Sequence, residues 1–213
     1  MLVENLMIQK VYTLKPTQTL FEAEELMRNR RIRHIPIVDN LNHLVGLITE
    51  QDLKRAMPSS LLTTERNSLN NRLIEEFMVT EVLIGHPLDF VEETALLFFE
   101  ERIGCLPIVS HGELVGILTD TDILYNYIEL TGAHKPSSQI ELRTADQIGV
   151  LSQVTTICAN HRASIISLLV YPDANDSSKK IISIRVKSIS PQAIIEDMRK
   201  EGFELLWPNL PTM

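Results

Sequence analysis

Apolar positions in this chain follow a helical rhythm and a strand rhythm, and the same succession of the two occurs twice. Over residues 19–30, Leu20, Ala23, Leu26 and Met27 recur at intervals of three and four, which predicts an amphipathic helix. Val91, Ala95, Phe98 and Phe99 predict a counterpart over residues 90–102. After each helix comes a short apolar run, "IPIV" (35–38) or "LPIV" (106–109). A polar turn and a return run, "LVGLI" (44–48) or "LVGIL" (114–118), follow it. Runs of this length bounded by turn residues read as strands. A short apolar segment ahead of each helix, Val11–Leu14 and Val82–Ile84, reads as a leading strand, and a second helix begins at Thr49 and at Thr119. The unit is therefore β-α-β-β-α, written twice.

The two copies align residue by residue. "RHIPIVDNLNHLVGLITEQDL" (33–53) matches "GCLPIVSHGELVGILTDTDIL" (104–124), with one residue lost in the turn, and upstream Met7 pairs with Met78 and Pro16 with Pro87. The period, about 70 residues, is too long for a solenoid unit and implies two small domains. Neither copy has enough apolar surface for an independent core, so the two are expected to pack face to face. Residues 58–71, rich in Ser, Thr and Asn, read as a linker, and "LTGAHKPSSQ" (130–139) as a boundary. The division is 1–57 for the first repeat, 58–74 for a linker, 75–130 for the second repeat, 131–138 for a second linker and 139–213 for a third domain.

That last segment has a different rhythm. "QIELRT" alternates as a strand, and Ile148, Leu151, Val154 and Ile157 mark a helix. "ASIISLLVYP" and "KIISIRVKS" are β-rich around a polar turn, "PQAIIEDMRKEGF" is a helix opening at Pro191 and closing at Gly202, and "ELLWP" is a final strand. The order β-α-β-β-α-β is the ferredoxin-like split unit. The fold class is α+β.

Composition narrows the function. With 44% hydrophobic and 23% charged residues the chain is globular. A net charge of −8 argues against nucleic-acid binding; the one dense basic patch is "RNRRIRH" (28–34). No apolar run approaches the ~20 residues that span a bilayer, and the first ten residues lack the pattern of a secretory leader. Cys105 and Cys158 are solitary, which suits a reducing cytoplasm, and Cys105 reads as a packed core thiol. The histidines show neither i,i+4 pairing nor cysteines at metal spacing, so no metal site is expected. No nucleophile elbow, phosphate-binding loop or dinucleotide fingerprint is written here, and nothing in the residues supports an enzyme or a catalytic cofactor.

The repeated phrase "GLITEQD" (46–52) and "GILTDTD" (116–122) carries the candidate chemistry. Thr49-x-x-Asp52 and Thr119-x-x-Asp122 fit a capping box, the Thr hydroxyl accepting a backbone N–H. The same corner also suits a ligand. A helix N-terminus offers unpaired N–H groups to an anion, and Gly46 and Gly116 leave space for close approach to the backbone. The sequence leaves both readings open.

Several motifs carry a resemblance. The paired copies resemble cystathionine-β-synthase (CBS) domains, whose tandem pairs form a disc with clefts for adenosine ligands. The tail resembles an ACT domain, a regulatory module that dimerises and binds amino acids. "HPLDFVEE", "IGCLPIV", "LTGAHKPSSQIE" and "LVYP" look similar to the CBS–ACT proteins of the acetoin-utilisation (AcuB) type of bacilli. The resemblance implies a regulatory adenine nucleotide (AMP, ADP or ATP), with Asp52 and Asp122 on ribose hydroxyls and Thr49 and Thr119 near phosphate. Adenine would lie in a slot lined by Val11, Val82 and the strand residues Ile35, Pro36, Leu106 and Pro107. Basic residues before the shared proline contact phosphate in similar proteins. Here only the first copy supplies them, as Arg33 and His34, whereas the second has Gly104 and Cys105. In the tail Asp146 and Gly149 keep the ACT turn, but Ile148 stands for its proline and Ala163-Ser164 precede Ile165 where amino-acid binders carry Asn. A dimer surface is thus favoured over an amino-acid site. The expectation is a cytoplasmic, homodimeric, non-catalytic regulator of an unidentified protein partner in acetoin or butanediol breakdown, with a link to sporulation. The rivals are a ligand-independent dimeric scaffold and a small-molecule enzyme.

Overall fold

Thr19 opens the first helix with a reciprocal cap. Its hydroxyl accepts the Glu22 N–H at 3.3 Å, and the Glu22 carboxylate accepts the Thr19 N–H at 2.7 Å. The computed structural model describes residues 1–56, 71–188 and 190–208, so most of the linker expected over 58–74 lies outside the described residues. The chain divides into two units, Met1–Leu124 and Tyr125–Met213.

In the first unit, α1 (Leu20–Arg30) is followed by β1 (His34–Val38), β2 (Leu44–Thr49) and α2 (Glu50–Ala56). The second repeat gives α3 (Val91–Glu101), β3 (Cys105–Ser110), β4 (Glu113–Thr119) and the start of α4 (Asp120–Thr131), whose residues from Tyr125 onward belong to the second unit. Each strand pair is antiparallel with one irregularity at matching places, Ile37/Val38 and Ile108/Val109. The leading strands differ from expectation: Val11–Leu14 and Val82–Ile84 form no regular strand, and each lead contributes one parallel bridge, Leu14 to Ile37 and Gly85 to Ile108. The face of α3 also differs. Val91, Thr94 and Phe98 are buried, while Phe99 is 81% exposed. Thr94 can take a core position because its hydroxyl donates to the Phe90 carbonyl at 3.1 Å.

The repeats are interlocked. Val3, in a short 3-10 turn at the start of the chain, is fully buried in the core of the second repeat with Val91, Phe98, Leu106 and Ile108. Ile74, in the matching turn before the second repeat, is fully buried in the core of the first with Leu20, Ile35, Ile37 and Ile48. Backbone hydrogen bonds fix the exchange: Ile8 and Ile117 trade N–H and carbonyl at 2.9 and 3.0 Å, as do Leu47 and Val79, both at 2.9 Å. Each repeat thus buries its apolar face partly under the lead of the other, which answers the shortage of core in a single copy.

The second unit holds β5 (Ser138–Ala145), α5 (Val150–Asn160), β6 (Ile165–Pro172), β7 (Lys179–Val186), α6 (Gln192–Lys200) and β8 (Glu204–Trp207). The sheet runs β6-β7-β5-β8 and every pairing is antiparallel, the ferredoxin-like arrangement expected. Ile140, Leu142, Ile182 and Ile184 meet Val154, Cys158, Ile194 and Met198 of the helices. The face of α5 is shifted from the expected one. It buries Val154, Ile157 and Cys158, with Val150 packed beside them, whereas Ile148 is fully exposed in the turn before the helix and Leu151 points outward.

Candidate functional site

Each Thr-x-x-Asp corner is a complete cap. The Thr49 N–H and hydroxyl donate to Asp52 Oδ2 at 2.9 and 2.6 Å, and the Asp52 N–H donates to Thr49 Oγ1 at 3.3 Å. Thr119 and Asp122 reproduce this at 2.9, 2.6 and 3.2 Å. The shorter Asp does what Glu usually does in this box.

Both corners open onto cavities, and the far wall of each cavity comes from the other repeat. Thr49 and Gln51 face Val82, Leu83 and Arg102 across a cavity of about 440 Å³. Thr119, Thr121 and Asp122 face Lys10, Val11, Tyr12 and Arg31 across one of about 270 Å³. Arg33 and His34 line both. The His34 ring lies close to Gly104, where a Cβ would stand 3.2 Å from Nε2. Burial holds the His34 imidazole below its ordinary value, and the Arg33 charge acts the same way against Asp120, Asp52 and Glu50. The Arg33 guanidinium sits 3.6 Å from Asp120 Oδ1, but both side chains are more than half exposed and the pair contributes at most about 1 kcal/mol. Burial, aided by Asp120, pushes the Cys105 thiol up to about 12, so this sulfur is not a nucleophile near neutral pH.

The structure therefore brings together Thr119, Asp122, Val11, Arg33 and His34 at one cavity, and Thr49, Val82, Arg33 and His34 at the other. Other expected residues lie elsewhere. Ile35, Pro36, Leu106 and Pro107 are buried strand residues, Ile35 and Leu106 within the two cores, and they line neither cavity. Asp52 does not line the first cavity, and its Oδ1 lies 3.9 Å from Arg55. The space at Gly46 and Gly116 is taken by protein. A Cβ would stand 2.6 Å from the Met78 sulfur at Gly46 and 2.5 Å from the Met7 sulfur at Gly116. These glycines admit the exchanged lead of the other repeat, not a ligand. In the second unit Asp146 pairs with Lys180 at 2.7 Å, and Gly149, at φ 94°, turns the chain into α5. Lys10, Tyr12, Arg31 and Glu81 line the cavities unforeseen. Aligning the repeats pairs Lys10 with Glu81, Arg31 belongs to the basic patch 28–34 and Tyr12 to the leading segment, which are the signals that could have pointed to them.

The comparisons bear on this arrangement. A model of the CBS domain matches residues 3–59 and 74–129. The chain belongs to the CBS-domain family. Its CBS pair is followed by an ACT domain, matched over residues 138–203. A crystal structure described as that of an acetoin utilization protein (AcuB) from Vibrio cholerae is similar at 35% identity and a TM-score of 0.56, covering 65% of this chain and 98% of that one. The CBS domain pair of protein MJ0100, in complex with 5′-methylthioadenosine and S-adenosyl-L-methionine, is 28% identical with a TM-score of 0.52, over 63% of this chain and 98% of that one. The homoserine O-acetyltransferase of Methanococcus vannielii is 32% identical over 123 residues, 57% of this chain and 24% of that one. This chain thus spans about a quarter of that relative's length. Among the described residues, no helix is long and apolar enough to cross a membrane.

Proposed function

We propose that the CBS pair binds an adenine nucleotide in the cavities between its repeats and that the protein acts as a non-catalytic regulator. One observation carries this reading: Thr119 and Asp122 face Val11 across one cavity and Thr49 faces Val82 across the other, in each case the apolar lead of the other repeat. In this reading an adenine lies against Val11 or Val82, with its ribose toward the corner. A ligand there touches both repeats, so its binding energy biases how they pack. The MJ0100 pair, with its adenosine compounds, supports the ligand class. The acetyltransferase does not support catalysis here, because the match covers a quarter of that enzyme.

The AcuB resemblance supports a role in acetoin or butanediol breakdown, exerted through a protein partner. The ACT domain forms a homodimer in this reading. Its edge strand β6, paired among the described residues with β7 alone, presents Leu169, Val170 and Tyr171 to solvent. A Val170→Lys chain that sediments as the wild type does would remove that role.

The test of the ligand reading separates it from a scaffold whose corners only cap helices. Asp122→Glu keeps the cap, since Glu is the usual residue at that position, but displaces the carboxylate from the cavity. AMP at a hundredfold excess over Kd should stabilise the wild-type chain by ~2.7 kcal/mol and the Asp52→Glu, Asp122→Glu double variant by much less. No stabilisation by millimolar AMP, ADP or ATP favours the scaffold.

A further inference from the structure

The two cavities share several equivalent positions of the repeat, and at those positions their chemical differences belong to the side chains. Lys10, Val11 and Tyr12 beside the Thr119 corner correspond to Glu81, Val82 and Leu83 beside the Thr49 corner. One of these replacements reverses charge. Lys10 lines only the smaller cavity, together with Arg31 and the shared Arg33, and the carboxylate among the described lining residues there is Asp122. Glu81 lines only the larger one, where Glu50 and Asp120 stand with it against Arg33 and Arg102, the counterpart of Arg31.

We infer that the pair sorts adenosine ligands by phosphate: the Thr119–Lys10 cavity takes a phosphorylated adenosine, and the Thr49–Glu81 cavity an adenosine without phosphate. The inference rests on the adenosine reading above and adds which cavity holds which chemical class. Size cannot produce the division, because the cavity that rejects phosphate is the larger, about 440 Å³ against about 270 Å³. Charge can. A phosphate monoester carries about −1.5 to −2 at pH 7; three cations against one carboxylate attract it in the smaller cavity, and three carboxylates against two arginines repel it in the larger. Lys10 and Glu81 are both exposed at the rims, so exchanging their charges leaves the packing untouched.

Calorimetric titration at low ionic strength, with AMP and with adenosine as probes, tests this on the full chain. Lys10→Glu should weaken AMP about tenfold or more while adenosine stays within about twofold, the difference shrinking as salt rises. Glu81→Lys should admit a second AMP per chain where the wild type holds one. Melting of each unliganded variant checks that the fold is kept. If Lys10→Glu spares AMP or weakens both probes alike, or if Glu81→Lys admits no second AMP, the sorting is wrong and the adenosine reading stands. If the wild-type chain binds neither probe, both are wrong.

Discussion

The carboxylate of Asp122 receives the Thr119 hydroxyl at 2.6 Å and the Thr119 N–H at 2.9 Å on the same oxygen, Oδ2. Oδ1 stays outside the cap, on a residue that lines the cavity between the repeats. One side chain can therefore close a helix and offer a hydrogen-bond acceptor to a ribose. Asp122→Ala is expected to lower stability by about 1 kcal/mol through loss of the cap, and Asp122→Glu to stay within about 0.5 kcal/mol of the wild type. Urea midpoints of the unliganded proteins measure this. Equal losses in the two variants would mean that cap geometry depends on the shorter side chain.

Interlocking gives a crossed pattern of damage. Ile74→Ala is expected to cost about 2–5 kcal/mol, as for a fully buried Ile that leaves a cavity. Its effect on hydrogen exchange should appear first in β1 and β2, because Ile74 sits in the first core although it leads the second repeat. Val3→Ala should loosen β3 and β4 instead. Each substitution loosening its own repeat would contradict the exchange.

What the sequence made legible was local. Thr49 and Asp52 meet because residues three apart on a starting helix must meet, and the 3.6 and 2.0 periods placed α1, β1 and β2 within a residue or two. The repeat itself was visible, but the exchange was not. Met7 aligned with Met78 in the sequence, yet each fills the glycine gap of the opposite copy, and no local pattern states which copy a lead will cover. For the same reason Lys10 and Asp122 could not be paired across one cavity from spacing alone. Hydropathy also misled at two helices. Thr94 is buried because its hydroxyl bonds backward, and Ile148 is exposed because Gly149, at φ 94°, starts the helix only after it.

His34 sets a pH dependence. Its folded-state value lies below the ordinary ~6.5 because of burial, with Arg33 adding to the effect and Asp120, Asp52 and Glu50 opposing it. The unfolded chain therefore binds this proton more readily. Its contribution to stability is full above about pH 6.5 and is lost as the pH falls below that value toward the folded-state one. Urea midpoints at pH 8 and pH 5.5 should differ more in the wild type than in His34→Gln. An equal difference would assign the pH dependence to other groups.

The most direct measurement is a crystal structure of the full chain grown with saturating AMP. The expected result is an adenine against Val11 and Tyr12 of the first repeat, its ribose diol on Asp122 of the second and its phosphate toward Lys10. A nucleotide bound away from the two interrepeat cavities, or both cavities unoccupied at saturating AMP, would contradict the account.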